Sequence, residues 1–198
     1  MLKRLFDIIF SLMGLLALAP VFVVISLLIK WEDDGPVFYR GVRVGRSGKP
    51  FKIFKFRTRV VDADKIGGTS TSEDDLRITK VGRFIRKYKF DEFPQLLNVL
   101  IGEMSVVGPR PQVQWAVDLY KPEERILLMV KPGISDYASI KFKNEALILK
   151  GSEDTDKVYL EKIAPEKIRL GLEYVKNRSL WVDLQIIFTT IVEIFKKQ

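Results

Sequence analysis

Asp91 and Glu92 stand side by side within the run DLRITKVGRFIRKYKFDEFPQLLNVLIGEMSVVGPRP, residues 75–111. Lys80, Arg83, Arg86, Lys87 and Lys89 lie just ahead of the two carboxylates, and a stiff Gly108-Pro109-Arg110-Pro111 follows them. Cations, carboxylates able to hold a metal, and an arginine on a rigid turn are what phosphoryl transfer needs, because that chemistry is mostly positioning and charge neutralisation. The chain has neither histidine nor cysteine. Thiol chemistry and disulfides are therefore excluded, and with them the commonest general base and the commonest transition-metal ligand. Mg²⁺ is the natural metal for the carboxylates that remain. The competing reading of Asp91 is a helix cap or a salt-bridge partner, since caps favour Asp.

The elements that must hold these residues are legible in outline. Helical spacing over 76–90 puts Ile78, Val81, Ile85 and Tyr88 on one face. Pro94 opens a second helix at its first turn and Gly102 ends it, so Asp91 and Glu92 fall at a helix–helix junction. Upstream, VFYRGVRV and FKIFKFRT flank a glycine-rich turn and read as a β-hairpin, with a slip of apolar phase between Ile53 and Phe54 that suggests a bulge. Its Lys52, Lys55, Arg57 and Arg59 read mainly as a solvated basic face. The acidic stretch 62–75 reads as a mobile loop, a candidate lid. Residues 121–130 read as an amphipathic helix, and 134–156 as irregular or partly extended. In the last segment Leu180, Trp181, Leu184, Ile187, Phe188, Ile191, Ile194 and Phe195 share one helical face, suited to a core or to a membrane interface, with Trp181 and the closing lysines favouring the interface.

The N-terminus adds a membrane. Seventeen residues between Leu5 and Ile29 are Leu, Ile, Val or Phe, together worth about −5 to −10 kcal/mol of insertion free energy. Asp7 and Pro20 do not overturn that. A cleaved signal peptide is rejected, since the apolar run continues past Ala17-Leu18-Ala19 and Pro20 sits where cleavage would fall. Basic residues flank both ends, with Lys3 and Arg4 on one side and Lys30, Arg40, Arg43 and Arg46 on the other. A kinked span and a re-entrant hairpin broken at Ala19-Pro20 both remain open on this evidence. The 198 residues carry a net charge of +8, which favours anionic partners. No nucleic-acid motif is present, and no nucleic-acid partner is expected.

These residues resemble the bacterial polyprenyl-phosphate phosphoglycosyl transferases, small monotopic sugar transferases. The resemblance covers nearly the whole chain: KRLFD, the Pro-containing apolar segment, FKIFKFRT, DDLRITKVGRFIR, DEFPQLLNVLIGEMSVVGPRP, KPGIS and EYVKNRSLWVDLQII. It implies an enzyme on the cytoplasmic face of the bacterial inner membrane. Such an enzyme moves a sugar 1-phosphate from a UDP-sugar donor to an undecaprenyl phosphate acceptor, releases UMP and uses Mg²⁺. It also implies a re-entrant membrane helix over residues 1–30, contacts with membrane lipids, and a catalytic domain over 31–198 that ends in an amphipathic helix. Within that domain the resemblance makes Asp91 a covalent nucleophile, with Glu92 holding the metal alongside it. Arg86, Arg110 and Lys55 become phosphate-binding residues, with Pro109 and Pro111 fixing the arginine turn. An ionised carboxylate needs no activating base, so the missing histidine is harmless.

Four departures from the family pattern stand out: Ala19 before Pro20, Phe93 after the acidic pair, the stretch 135–144, and Gly171 where an acidic residue is usual. They leave open which sugar is carried. The oligomeric state, a homodimer included, and the pathway served are open too. A lipid-phosphate hydrolase using Mg²⁺ and a non-catalytic anchor for anionic lipid are the rival functions. The expected fold is a compact, mostly helical α+β domain with a small β-hairpin, an N-terminal re-entrant helix and amphipathic interfacial helices.

Overall fold

A computed structural model describes residues 1–63, 72 and 74–195. Most of the acidic segment expected to form a lid, and the closing lysines, lie outside these described residues. The fold is mostly helical with a few short strands, and its first element is one long apolar helix, α1 (Leu2–Asp33).

α1 is tied to the body at both ends. Near its start, Arg4 donates to the carbonyls of Val99 (2.6 Å) and Leu100 (2.8 Å). These belong to the last turn of α3 (Gln95–Ile101), whose terminal carbonyls lack helical partners. Asp7, 2 % exposed, accepts from the Ser105 hydroxyl at 3.0 Å and the Val106 amide at 3.1 Å. At the other end Asp33 forms a fork-to-carboxylate pair with the buried Arg57. Glu32 accepts from the Lys80 amide at 2.7 Å, capping the next helix. Ile25 and Ile29 pack with Phe56 and Ile85, each burial contributing about 1.5–3 kcal/mol. Leu12, Met13, Leu16, Val23, Val24 and Leu27 are at least half exposed on the outer side. Pro20 lies inside the helix rather than between two. Arg57 is thus a buried clasp and not part of a solvated face, because Asp33 supplies the charge that makes its burial tolerable.

The hairpin forms in two antiparallel pieces, β1 (Phe38–Tyr39) with β4 (Lys55–Phe56) and β2 (Val42–Val44) with β3 (Pro50–Lys52). The interruption falls at residues 53–54, where the apolar phase slips. Two further strands, β5 (Ser105–Val107) and β6 (Gly133–Ser135), pair in parallel with Ser105 opposite Gly133 and Val107 opposite Ser135. α2 covers only Lys80–Lys87. It starts later than its periodicity suggests because Ile78 bridges Arg59 as extended chain and the Thr79 side chain caps the first turn at Gly82 (2.9 Å). After the short α4 (Gln114–Asp118), residues Pro122–Met129 form a 3₁₀-helix where an α-helix was expected.

The region read as irregular or partly extended begins at the end of β6 and then carries three short helices that were not expected: α5 (Tyr137–Lys141), α6 (Glu145–Ile148) and α7 (Thr155–Val158). Asp136 and Asp154 cap α5 and α7, accepting from Ser139 and Lys157 amides. Helices this short are set by their caps, which apolar periodicity does not register. α8 (Ala164–Asn177) and α9 (Leu180–Phe195) complete the chain. On α9, Asp183, Ile186 and Ile187 face the core, while Trp181, Leu184, Phe188 and Ile191 are 47–70 % exposed. Ile187 therefore leaves the predicted stripe, while its Leu180, Trp181, Leu184, Phe188 and Ile191 point outward. Asp183, 1 % exposed, accepts from Lys3 (2.6 Å) and Tyr174 (2.8 Å), and the Tyr174 hydroxyl also reaches the Val107 carbonyl at 3.1 Å. α1, α8 and α9 thereby meet on the strand that leads to Arg110.

Candidate active site

The acidic pair sits on a turn that is neither helix. Lys89 adopts a left-handed φ of 58°, ending α2, and Phe90–Glu92 form one turn of 3₁₀-helix before Pro94 starts α3. Asp91 caps no helix: Lys89 and Pro94 occupy the cap positions on either side. The hairpin interruption that faces this turn is held by Asn98, which is fully buried. Its amide accepts from the Phe54 N–H (2.8 Å) and donates to the Lys52 carbonyl (3.0 Å) and to Glu103 (2.7 Å). Asn98 satisfies the backbone at the hairpin interruption and so aims the next residue, Lys55, at the acidic pair. Sequence reasoning missed this residue, since an asparagine inside a short helix carries no distinguishing signal.

Arg110 arrives from the other side. β5 and β6 approach so closely at Gly108 and Gly133 that a Cβ on Gly133 would lie 2.0 Å from the Gly108 nitrogen. That contact fixes the start of the Gly-Pro-Arg-Pro turn. Pro109 and Pro111 are buried in it. Asp136, 4 % exposed, accepts from the Arg110 amide at 3.2 Å. This second missed residue belongs to the stretch that departs from the family pattern.

The three chains of contact converge on Glu92. Lys55 Nζ donates to Glu92 Oε1 at 2.9 Å, and the Arg110 guanidinium embraces the same carboxylate, with Nη1 3.1 Å from Oε2 and Nη2 on Oε1. Burial raises the pKa of Glu92, but the charges of Arg110 and Lys55 overcome it and hold the group well below the usual carboxylate range. Arg110 is stabilised as a cation in return. Asp91 is different. It is 7 % exposed, its nearest cation is Lys55 at 4.0 Å, and no hydrogen-bond donor reaches its carboxylate among the described residues. Burial pushes its pKa up, with help from the Glu92 charge, against the pull of Lys55, Arg86 and Lys89. Arg86 thus acts on Asp91 through its field; it makes no hydrogen bond or ion pair among the described residues.

A cavity of about 320 Å³ opens beside this cluster. Glu92, Arg110 and Lys89 form its charged end, and Phe10, Gly14 and Leu18 of α1 with Ile187 and Ile191 of α9 form an apolar end. Leu96 lies against Gly14, where a Cβ would come within 3.0 Å of its side chain. Asp91, Lys55, Arg86, Pro109 and Pro111 are not on the cavity wall, so of the residues expected in the site only Glu92 and Arg110 face it directly. Among the described residues no group of three or more acidic side chains could hold a metal by itself.

The chain belongs to the bacterial sugar transferase family, whose pattern matches residues 1–197. It is 39 % identical over 199 residues to the UDP-glucose:undecaprenyl-phosphate glucose-1-phosphate transferase of Escherichia coli (strain K12), a match covering 98 % of this chain and 40 % of that protein. It is 35 % identical to the exopolysaccharide production protein ExoY of Sinorhizobium fredii, across 96 % of this chain and 83 % of the relative. The UDP-N-acetylgalactosamine-undecaprenyl-phosphate N-acetylgalactosaminephosphotransferase of Aeromonas hydrophila matches at 35 %, over 96 % and 43 %. The chain therefore spans well under half the length of two of these three relatives.

Proposed function

We propose that this chain transfers a sugar 1-phosphate from a UDP-sugar to undecaprenyl phosphate, the chemistry named for the Escherichia coli and Aeromonas relatives. One observation carries the reading: a buried carboxylate without a hydrogen-bond donor, Asp91, adjoins a glutamate clamped by two cations, Lys55 and Arg110, on the wall of a largely apolar cavity.

Glu92 stands where a diphosphate would stand. A donor entering at Arg110 offers oxyanions that compete for Arg110 and Lys55, loosening both from Glu92. Asp91 then attacks the sugar-bearing phosphorus in line. The bond from that phosphorus to the oxygen bridging the two phosphates breaks, its electrons stay on that oxygen, and UMP leaves. The aspartyl phosphosugar next meets the acceptor: a phosphate oxygen of undecaprenyl phosphate attacks the same phosphorus and Asp91 departs as carboxylate. No proton transfer is required of Asp91 in either step. The residues fit Mg²⁺, which is commonly held by one or two carboxylates plus substrate phosphates. Asp91, short of donors, and Glu92, once its cations turn to the donor, would hold it. Bound there it neutralises charge developing on the phosphates.

The apolar end of the cavity supports the lipid acceptor, because α1 and α9 both line it and both present exposed apolar surfaces elsewhere. Re-entry of α1 into one leaflet, from the cytoplasmic face of the inner membrane, is supported by its two ends binding the same body through Arg4 and Glu32, with Pro20 between.

The test is UMP release by the purified chain with UDP-sugars and Mg²⁺. The expected result is a burst of up to one equivalent without undecaprenyl phosphate and turnover with it, both abolished in Asp91→Asn. Full turnover by Asp91→Asn would refute the covalent route. Inorganic phosphate released from the lipid alone would favour a hydrolase, and no reaction with any donor an anchor.

A further inference from the structure

On the wall of the same cavity, away from Asp91, lies a second pair of charges. Lys167 of α8 donates to Glu145 Oε2 of α6 at 2.6 Å, and its side chain is only 8 % exposed. Both residues line the cavity with Glu92 and Arg110. Lys167 Nζ also lies 5.0 Å from the centroid of the Tyr159 ring, whose hydroxyl donates to Gln112 Oε1 at 3.0 Å. Gln112 follows the Gly-Pro-Arg-Pro turn by one residue, so this hydrogen bond links the wall to the turn that carries Arg110. Tyr159 opens a π-helical turn, Tyr159–Ile163. Such turns are rare and recur at functional sites.

The Lys167 ammonium is buried while Glu145 is 29 % exposed, and such a pair seldom repays the desolvation of its buried charge, so a pair retained on a cavity wall points to a ligand. Glu145 Oε1 accepts no hydrogen bond among the described residues, and Lys167 has donors beyond the one spent on Oε2. A free acceptor beside a free donor is what two neighbouring ring hydroxyls require. An epimer that turns one hydroxyl away leaves a charged group unpaired, which is how polar sites reject close analogues. We propose that Lys167 and Glu145 form the subsite that reads the hydroxyls of the donor's hexose. The proposal rests on the transferase reading above and extends it from chemistry to donor choice. Burial, opposed by the Glu145 charge, lowers the Lys167 pKa, in keeping with an ammonium that gains from a further acceptor.

The experiment uses the full chain in detergent with UDP-glucose, UDP-galactose and their N-acetyl counterparts. The readout is the ratio of kcat/KM between the preferred donor and its C4 epimer. This ratio does not depend on how much of a preparation is active, so partial misfolding cannot mimic the effect. Glu145→Gln and Lys167→Met should each shrink the ratio at least tenfold, leave inhibition by UMP unchanged, and still release UMP with some donor. Glu145→Asp, which keeps the charge, should give an intermediate ratio. An unchanged ratio would overturn the proposal, as would a parallel loss of UMP affinity, which would assign the pair to the nucleotide. Complete inactivity of all three variants at wild-type Tm would overturn it too, by assigning the pair to the reaction itself. A wild-type chain inert with every donor would instead overturn the transferase reading, and the subsite with it.

Discussion

If Asp91 is an ionised carboxylate held without donors, the fold should gain stability when the charge is removed. Asp91→Asn keeps the shape and deletes the charge. Leaving a buried polar group unsatisfied costs about 1–3 kcal/mol, and a charged one more; Lys55 at 4.0 Å offsets part of this. A gain of about 1–3 kcal/mol follows, which in a chain of this size raises Tm by about 2–12 °C. The sign of the pH dependence is fixed by the direction of the shift. A carboxyl whose pKa is raised in the folded state destabilises the fold fully above that raised value. The penalty disappears as pH falls towards the ordinary carboxylate value, where Asp91 is protonated and resembles Asn. The variant's advantage should therefore be present at pH 7 and shrink steadily towards pH 4. Thermal unfolding of both proteins in one detergent across this range provides the assay. A variant that is less stable than wild type at pH 7, with a difference that does not change with pH, would refute the reasoning and restore the cap or salt-bridge reading of Asp91.

Three further outcomes are expected. Arg110→Lys replaces a two-pronged contact with a single one, losing a charge-assisted hydrogen bond worth about 1.5–3 kcal/mol; kcat/KM for the donor should drop about 10- to 150-fold, and steady-state UMP release measures it. Asn98→Ala strands the Phe54 N–H and the Lys52 carbonyl, so unfolding should come about 2–5 kcal/mol more easily, read from Tm. Trp181→Glu with Phe188→Glu places charge on the exposed face of α9; the fraction bound to vesicles should fall while the aspartyl adduct still forms in detergent, checked by flotation and mass spectrometry.

Much of the site is written locally. Proline and glycine at 94 and 102 bracket α3 as their backbone preferences require, and the slip between Ile53 and Phe54 marks the interruption just before Lys55, where pairing resumes opposite Tyr39. Arg57 escaped notice because its partner, Asp33, lies 24 residues away in sequence. The same holds for Asp136, whose contact with the Arg110 amide depends on β5 and β6 lying in parallel, and for the pairing of Lys167 with Glu145 across two helices. The short α5 and α7 were invisible to periodicity because side-chain caps, not an apolar stripe, define them. The acidic pair stood out in the sequence, but the contrast between the surroundings of its two members did not. Nothing local says that Lys55 and Arg110 would hydrogen-bond Glu92 and leave Asp91 without a donor.

The double tether of α1 bears on how the protein can be handled. Cutting the chain after residue 30 to obtain a water-soluble fragment would take Ile25 and Ile29 away from Phe56 and Ile85, and would leave the end of α3 without Arg4. The amide of Val106, four residues before Arg110, would lose Asp7 as its acceptor. The apolar helix α1 is as much a wall of the cavity beside Glu92 as it is an exposed apolar surface. Lipid or detergent is accordingly expected to be needed to keep this fold intact, and trimmed versions are expected to collapse at the hairpin and the arginine turn together.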